Sequence, residues 1–210
     1  MSKIQEVATA VEKGKSKKVP GLVQEALDSG DQAQDILNAM IDSMGVVGDK
    51  FTRNEIFVPE MLVAARAMQK GVEVLKPLLS GDNSVSAGKM IIGTVAGDLH
   101  DIGKNLVTMM IESAGFEVID LGVDVPAEKF IEAIEQNPDV KIVGASALLT
   151  TTMPALAETV KIINECPSRN KIKVMVGGAP ITQEFADEIG ADAYTEDAAS
   201  AAQMAKKLVG

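Results

Sequence analysis

His100 is the residue whose chemistry stands out in this chain, because it is the only histidine among 210 residues. It lies in the segment 97–103, which begins and ends with glycine and follows the apolar run 90–95 after one residue, Ala96. An imidazole on a loop after a buried strand is well placed to bind a ligand. Asp98, two residues upstream, can accept a hydrogen bond from one ring nitrogen while the other nitrogen binds. We therefore expect this loop to form the functional site.

Composition narrows the chemistry that this loop can support. Cys166 is the single cysteine, so an intrachain disulfide and a thiolate cluster for zinc or iron–sulfur are excluded. With one histidine as well, a metal bound here must bring most of its ligands with it. The formal net charge of −10 argues against nucleic acid as a partner, because phosphates attract the opposite sign.

Hydropathy predicts a globular protein rather than a membrane protein. Hydrophobic residues make up 46% of the chain, enough for a sizeable core. No run approaches the roughly 20 uninterrupted apolar residues of a membrane span, and the first residues lack the apolar core of a signal peptide. We expect a cytoplasmic protein without membrane contact.

Hydrophobic spacing divides the chain into two halves. Over residues 1–80, apolar residues recur at steps of three and four, which predicts a four-helix bundle whose last helix begins at Val58 or Pro59. Residues 81–88 are polar and rich in glycine and serine, as in a linker. From 89 to 210, short β-like runs alternate with helical stretches, which predicts a flavodoxin-like or Rossmann-like sheet of five parallel strands.

The second half places its chemistry-bearing residues at predicted strand ends, where ligands bind in parallel sheets. The predicted strands are 90–95, 117–121, 141–148, 173–176 and 191–194. The predicted helices are 102–114, 127–136, 153–165, 182–189 and 198–208. The residues that follow or end these strands are Asp98 and His100, then 146–150, then Gly177 and Gly178, and then Thr195.

Three short motifs resemble the signature of cobalamin-binding domains in which a protein histidine replaces the cofactor's own benzimidazole. Residues 98–103 match D-x-H-x-x-G, residues 146–148 match S-x-L, and residues 177–178 match G-G. The intervals between the motifs are 42 and 28 residues. In the first half, residues 54–68 resemble the helical cap of methionine synthase and of the small corrinoid proteins of anaerobic methyl transfer.

This resemblance implies roles for individual residues. His100 would be the lower ligand of the cobalt, Asp98 would accept a hydrogen bond from its ring, and Ser146 would stand behind Asp98 in a proton relay. Phe57 and Met61 of the cap would shield the upper face of the corrin. Further contacts to the cofactor would come from Leu99, Asp101, Ile102, Gly103, Leu148, Thr150, Gly177, Gly178 and Thr195.

Several of these residues have a simpler interpretation. Asp101 suits the N-cap of a helix that begins at residue 102, and the Gly177-Gly178 pair suits an ordinary turn after a strand. Phe57 and Met61 also suit the core of a helix bundle. At the level of the sequence these alternatives stay open.

The function that the resemblance implies is that of a corrinoid methyl carrier, with cobalamin or a related corrinoid as cofactor. A substrate-specific methyltransferase would move a methyl group from a simple one-carbon donor onto Co(I). A second methyltransferase would take it from methyl-Co(III) to tetrahydrofolate or coenzyme M, and a reductive activation protein is a further expected partner. The chain alone would be a carrier rather than a full enzyme, because no nucleophile outside the corrin is visible.

Three other functions fit the sequence less well. A subunit of an adenosylcobalamin mutase would keep the histidine motif but would not need a methyl-protecting cap. A cobalamin-sensing regulator can share both halves, yet it also needs a DNA-binding module, and this chain is acidic. A flavodoxin-like receiver or nucleotide binder is disfavoured because G-x-G-x-x-G and Walker motifs are missing.

Overall fold

The computed structural model describes residues 2–79 and 87–210, which form two compact units. The first unit is helical and the second combines a sheet with helices. The predicted linker, residues 81–88, lies mostly outside the described residues. Its last residue, Gly88, does not belong to a linker but begins the first strand.

The first unit is the predicted four-helix bundle. Its helices are α1 (Lys3–Glu12), α2 (Val19–Asp28), α3 (Ala33–Thr52) and α4 (Val58–Leu79). A capping box starts α1: Gln5 N–H donates to Ser2 Oγ (3.3 Å), and Ser2 N–H donates to Gln5 Oε1 (3.2 Å). The last helix, α4, packs against the other three through an apolar stripe with helical spacing. Nowhere in the described residues is a helix both long and apolar enough to cross a membrane.

The second unit is built on one sheet, and the predicted five parallel strands are confirmed. The strands are β1 (Gly88–Thr94), β2 (Phe116–Asp120), β3 (Val140–Ser146), β4 (Lys173–Gly177) and β5 (Ala193–Tyr194). The helices are α5 (Ile102–Ser113), α6 (Ala127–Gln136), α7 (Met153–Glu165), α8 (Gln183–Ile189) and α9 (Ala198–Val209). The strand order is β2-β1-β3-β4-β5, and every pair is parallel.

The predicted elements of this unit agree with the structure to within two residues at each end, and the largest deviations have local causes. The sequence predicts that β3 runs to Leu148, but the strand ends at Ser146. The N–H of Leu148 donates to the Asp98 carboxylate and not to a neighbouring strand. A side chain in the adjacent loop therefore stops the strand, which hydrophobic patterning does not reveal.

The strand order creates a topological switch point between β1 and β3. The chain leaves β1 toward β2 on one side of the sheet and leaves β3 toward β4 on the other side. Because such crossovers are right-handed, they place helices on both faces and draw the two loops apart. The crevice between these loops, at the carboxyl ends of β1 and β3, is where doubly wound sheets bind ligands.

The core that holds β1 in place lies between the sheet and the helices α6 and α7. Phe130 of α6 is fully buried in it. Phe130 fills the space above Gly93 of β1, where an added Cβ would lie 2.9 Å from its Cζ atom. β-Branched residues such as Ile91 and Val143 complete the strand side of the core. This packing fixes the strand from which the His100 loop departs.

We expect Phe130→Ala to lower the free energy of unfolding by about 3–5 kcal/mol, because it removes a buried aromatic ring and leaves a cavity under β1. Urea unfolding followed by circular dichroism measures this loss. Phe57→Ala is a matched control, because the Phe57 side chain is exposed and its removal should change stability by less than about 0.5 kcal/mol. Equal losses for the two variants would contradict the assignment of Phe130 to the core.

Candidate cofactor-binding site

The His100 ring and the Asp98 carboxylate form the centre of the site. His100 Nδ1 lies 2.8 Å from Asp98 Oδ1, as the sequence led us to expect. The backbone N–H of His100 donates to the same oxygen at 3.0 Å. The His100 side chain is 50% exposed, whereas the Asp98 side chain is fully buried. The ring is therefore held on one edge and open to solvent on the other.

Asp98 is ionised in the folded protein. Burial by itself raises the pKa of a carboxyl group, but here hydrogen bonds outweigh it and hold the pKa of Asp98 well below its usual range. The donors are the N–H groups of Leu148 and His100, the His100 ring and the Thr152 hydroxyl. Leu148 N and Thr152 Oγ1 lie 2.7 and 2.8 Å from Asp98 Oδ2.

The charge on Asp98 determines which nitrogen of His100 is free. An ionised carboxylate only accepts hydrogen bonds, so Nδ1 of His100 must carry the proton that joins the two groups. In the neutral imidazole, Nε2 then keeps a lone pair. The arrangement presents this lone pair as a metal ligand, with the carboxylate as the partner that orients the ring.

The third member of the predicted relay is different from the one expected. The hydroxyl that donates to Asp98 belongs to Thr152, while Ser146 Oγ lies 3.0 Å from Thr94 Oγ1. The expectation that Ser146 stands behind Asp98 is therefore wrong. The physical reason is register: Ser146 is the direct partner of Thr94 in the β1–β3 ladder, so their side chains meet on one face.

The Thr152 hydroxyl has two acceptors but only one proton. Asp98 Oδ2 lies 2.8 Å from Thr152 Oγ1, and the carbonyl oxygen of Leu149 lies 2.9 Å from it. The hydroxyl can donate to Asp98 while that group is ionised, and it can turn to the carbonyl if Asp98 gains a proton and becomes a donor itself. Thr152 thus accommodates either protonation state of Asp98.

Thr94 fixes the backbone on the far side of the histidine. Its hydroxyl donates to the carbonyl oxygen of His100 at 3.0 Å, and Thr94 itself is buried. Sequence patterning does not assign Thr94 and Thr152 to the site. The signal for both is weak: Thr94 ends an otherwise apolar strand, and Thr152 is one of three consecutive threonines, of which only the fold selects one.

The remaining residues at strand ends shape the crevice through their backbones. The turn at Gly178 has φ +133°, and a Cβ there would overlap the carbonyl oxygen of Ala147. A Cβ at Gly177 would lie 3.3 Å from the carbonyl oxygen of Thr195, so the ends of β4 and β5 also meet here. Thr150 is exposed in a short turn before α7. Gly103, in the first turn of α5, faces open space.

Apolar side chains of the two loops are unusually exposed beside this crevice. Leu99 is 72% exposed and Ile102 is 85% exposed, both next to His100 in the chain. Leu148 and Leu149, after β3, are about two-fifths exposed. Exposed apolar side chains around a polar centre are characteristic of ligand-binding surfaces.

A buried cation close to the His100 loop was not expected from the sequence. Lys104, in the first turn of α5, is almost fully buried and forms an ion pair with Asp120 at the end of β2. Its Nζ also donates to Asn105 Oδ1 (2.8 Å), and Asn105 Nδ2 donates to Asp101 Oδ2 (3.0 Å). These contacts tie the start of α5 to the sheet. Helix patterning predicts a solvated lysine at such a position.

The two predicted cap residues do not form one exposed apolar face. Phe57 is 63% exposed and precedes α4, whereas Met61 is fully buried. Met61 continues the buried stripe of α4 that also includes Met68 and Leu75, at the spacing of one helix face. The alternative of a bundle-core residue thus describes Met61 better, and Phe57 is the member available at the surface.

Comparison with known proteins finds relatives that match nearly the whole chain. Two B12 binding domain models match the chain, at residues 88–203 and 3–76. Dimethylamine corrinoid protein 1 of Methanosarcina acetivorans is 44% identical over 98% of this chain and 97% of its own length. A cobalamin-binding protein of Desulfitobacterium hafniense superposes with a TM-score of 0.83 at 31% identity, over 99% of this chain and 98% of that one. The methanol:cobalamin methyltransferase complex of Methanosarcina barkeri gives a TM-score of 0.84 at 32% identity, over 99% of this chain and 79% of that one.

A doubly wound sheet with an oriented imidazole at its switch point, together with a helix bundle, defines a cofactor-binding module. The chain belongs to the B12 binding domain family and groups with the corrinoid proteins of methyltransferase systems. Its cofactor is cobalamin or a related corrinoid. The resemblance that three motifs and the cap indicated is confirmed.

The buried carboxylate predicts a pH dependence of stability. Because the pKa of Asp98 is lowered in the folded state, its stabilising contribution is fully present above the unfolded-state pKa of about 3.9 and is lost as pH falls toward the folded-state value. We expect Asp98→Asn to be less stable than wild type by roughly 1–3 kcal/mol near neutral pH. Urea unfolding at a series of pH values should show that this difference shrinks below about pH 4. A difference that stays constant into strongly acidic solution would contradict the lowered pKa.

We expect substitution by alanine to change the thermal unfolding midpoint differently at Gly178 and at Gly103. Gly178→Ala should lower the thermal unfolding midpoint strongly, because the new methyl group overlaps the Ala147 carbonyl at a φ that disfavours L residues. Gly103→Ala should leave the midpoint unchanged or raise it slightly, since alanine favours a helix and meets no neighbour here. Differential scanning calorimetry of the two variants checks the contrast, and similar losses in both would show that the crevice is shaped differently.

Proposed function

We propose that this chain is a corrinoid methyl carrier in which His100 is the lower ligand of the cobalt. The observation that carries the proposal is the His100–Asp98 pair: a buried carboxylate binds Nδ1 at 2.8 Å and leaves Nε2 of a half-exposed ring free. One nitrogen is what such a site requires of the protein, because the corrin ring itself supplies the equatorial nitrogens. The chain contains a single histidine, which agrees with that requirement.

The surroundings of His100 fit a broad group with an apolar underside. Leu99 and Ile102 expose apolar surface beside the imidazole, and Gly103 leaves open the space that a side chain would fill. Because doubly wound sheets bind ligands at such a switch point, the proposal places an extended tail of the cofactor between the loops after β1 and β3. When bound, the corrinoid supplies a metal that accepts and releases a methyl group, which is chemistry that no side chain of the site performs.

In this proposal the protein holds the ligand nitrogen and manages one proton. Asp98 fixes the Nδ1–H tautomer through its hydrogen bond to the ring. Thr152 supports either protonation state of Asp98 by turning its hydroxyl between the carboxylate and the Leu149 carbonyl. Ser146 stays in the proposal as a contact to the cofactor rather than as part of this relay.

The remaining cofactor contacts carry over from the resemblance as part of the same proposal. The loop residues Leu99, Ile102 and Leu148 are placed to touch the corrin. The residues proposed to contact the cofactor or its tail through backbone or polar side chains are Asp101, Gly103, Ser146, Thr150, Gly177, Gly178 and Thr195. On the bundle, Phe57 is proposed to shield the upper face, in preference to the buried Met61.

The proposed partners are a substrate-specific methyltransferase, a second methyltransferase that serves tetrahydrofolate or coenzyme M, and a reductive activation protein. Likeness to the methanol:cobalamin methyltransferase complex supports the first of these. The relative described as a dimethylamine corrinoid protein favours a methylated amine as the donor. We place this exchange in the cytoplasm, as the sequence predicts.

The decisive experiment compares wild type and His100→Ala after reconstitution with cob(II)alamin. With histidine labelled with heavy nitrogen in the protein, electron paramagnetic resonance of the wild type should show the doublet splitting of the labelled His100 imidazole, and the variant should show only the triplet of the cofactor's own benzimidazole or no nitrogen splitting. Its affinity for the corrinoid should fall by on the order of tenfold or more, because a ligand to the metal is removed. Lys89→Met is a control, since Lys89 pairs with Glu117 and Asp139 at the amino end of β1, away from the site.

A wild type that shows the benzimidazole triplet, or no nitrogen splitting, would overturn the ligand assignment. The carrier function has its own test: the reduced, corrinoid-loaded wild type should become methylated when mixed with dimethylamine and a dimethylamine-specific methyltransferase. Formation of an adenosyl radical with adenosylcobalamin, in place of methylation, would favour the mutase alternative.

A further inference from the structure

Asp124 adopts a backbone conformation that a residue with a side chain rarely takes. Its φ is +53°, in the left-handed region, where Cβ approaches the neighbouring backbone too closely. Within residues 2–79 and 87–210, Asn54 is the other non-glycine residue with a positive φ. Such conformations persist where surrounding contacts hold them in place, and they cluster at functional sites.

Two hydrogen bonds of Asp124 hold the Gly97-Asp98 backbone, which is separated from His100 by one residue. The carboxylate Oδ1 accepts from the N–H of Gly97 at 2.7 Å. The backbone N–H of Asp124 donates to the carbonyl oxygen of Asp98 at 2.9 Å. Together these bonds hold the dipeptide Gly97-Asp98 at both ends. The left-handed φ of Asp124 lets its carboxylate and its backbone N–H reach the same dipeptide.

The segment that presents Asp124 is itself anchored. Val125, the next residue, is buried and forms a parallel bridge with Val95. Its N–H donates to the carbonyl oxygen of Thr94 at 2.9 Å. Because this connection between β2 and α6 is tied to the end of β1, Asp124 acts on the His100 loop from a fixed position.

The position of the Asp98 backbone matters because the Asp98 carboxylate must accept hydrogen bonds from several partners at once. Its two oxygens receive hydrogen bonds from His100, Leu148 and Thr152, which come from two different loops. A small shift of the Asp98 backbone would break this set, since supporting residues must hold functional groups to within about half an ångström. Asp124 contacts the backbone of Asp98 and not the imidazole, so its effect on the ligand is indirect.

We propose that Asp124 is a positioning residue that sets the Asp98–His100 pair for metal ligation; this rests on the proposed function of His100. The carboxylate of Asp124 fixes the geometry of the Gly97-Asp98 peptide. Through that peptide it sets the orientation of the His100 ring for ligation of the cobalt. Asp124 therefore determines what fraction of the bound cofactor is ligated by His100, rather than whether the domain folds.

Three variants of Asp124 separate the contribution of its carboxylate, as a hydrogen-bond acceptor, from that of its left-handed backbone. Asp124→Ala removes the acceptor and keeps the unfavourable φ. Asp124→Gly removes the acceptor but relaxes the backbone, so it remains informative if the alanine variant fails to fold. Asp124→Asn keeps an oxygen acceptor and tolerates the left-handed region, so it serves as the rescue variant.

The measurement is the fraction of protein-bound cob(II)alamin that shows the doublet splitting of histidine labelled with heavy nitrogen at one fixed pH, together with the thermal unfolding midpoint. The ratio of ligated to unligated histidine should fall by about threefold to tenfold in Asp124→Ala and Asp124→Gly, and it should stay near wild type in Asp124→Asn. Asp192→Ala is the matched control, because the Asp192 carboxylate accepts from the N–H of Val174 (2.7 Å) at the amino end of β4. It should lower the unfolding midpoint and leave the ligated ratio unchanged.

An unchanged ligated ratio in Asp124→Gly would overturn the inference, as would a loss in Asp192→Ala equal to that in the Asp124 variants. Either result, with normal splitting in the wild type, would leave the proposed function intact. Absence of the labelled-histidine doublet in the wild type would instead overturn the ligand role of His100 and, with it, the positioning role of Asp124.

Discussion

The hydrogen bond between the His100 ring and the Asp98 carboxylate is the interaction on which the site depends. A buried carboxylate is unfavourable unless it is fully bonded, and Asp98 meets this condition with donors from its own loop and from the loop after β3. Those donors keep it ionised, and its charge in turn fixes the tautomer of the imidazole. The free Nε2, and therefore the capacity to bind a metal, follows from this one contact.

The parallel sheet makes that contact possible. Strands β1 and β3 are neighbours in space but separated in sequence by two helices and β2. Since their carboxyl ends lie at the same edge, Leu148 and Thr152 reach Asp98 across about 50 residues of chain. The same adjacency forms the switch point at which doubly wound sheets bind ligands, so one topological feature supports the His100–Asp98 pair and places it where we propose that the cofactor binds.

The errors of sequence reasoning at this site show where pattern stops being informative. His100 and Asp98 are close in the chain, so their interaction is local and the spacing reveals it. The choice between Ser146 and Thr152 depends on where β3 ends and on the turn that follows, and both hydroxyls are equally plausible from the sequence. The sequence leaves open whether Met61 shields the cofactor or belongs to the bundle core, and its position in the stripe with Met68 and Leu75 places it in the core. Helical spacing predicts on which face of a helix a residue lies, but it does not predict what packs against that face.

The sequence by itself determined the two-part architecture, the alternation of strands and helices, and the histidine proposed as the metal ligand, because periodicity, glycine placement and residue type are local properties. The tertiary structure decided which hydroxyl supports Asp98, that Lys104 is buried against Asp120, and that a strained Asp124 grips the loop. These features join residues that are far apart in the chain. Their geometry arises only when the strands pair and the loops at one edge of the sheet come within hydrogen-bond distance.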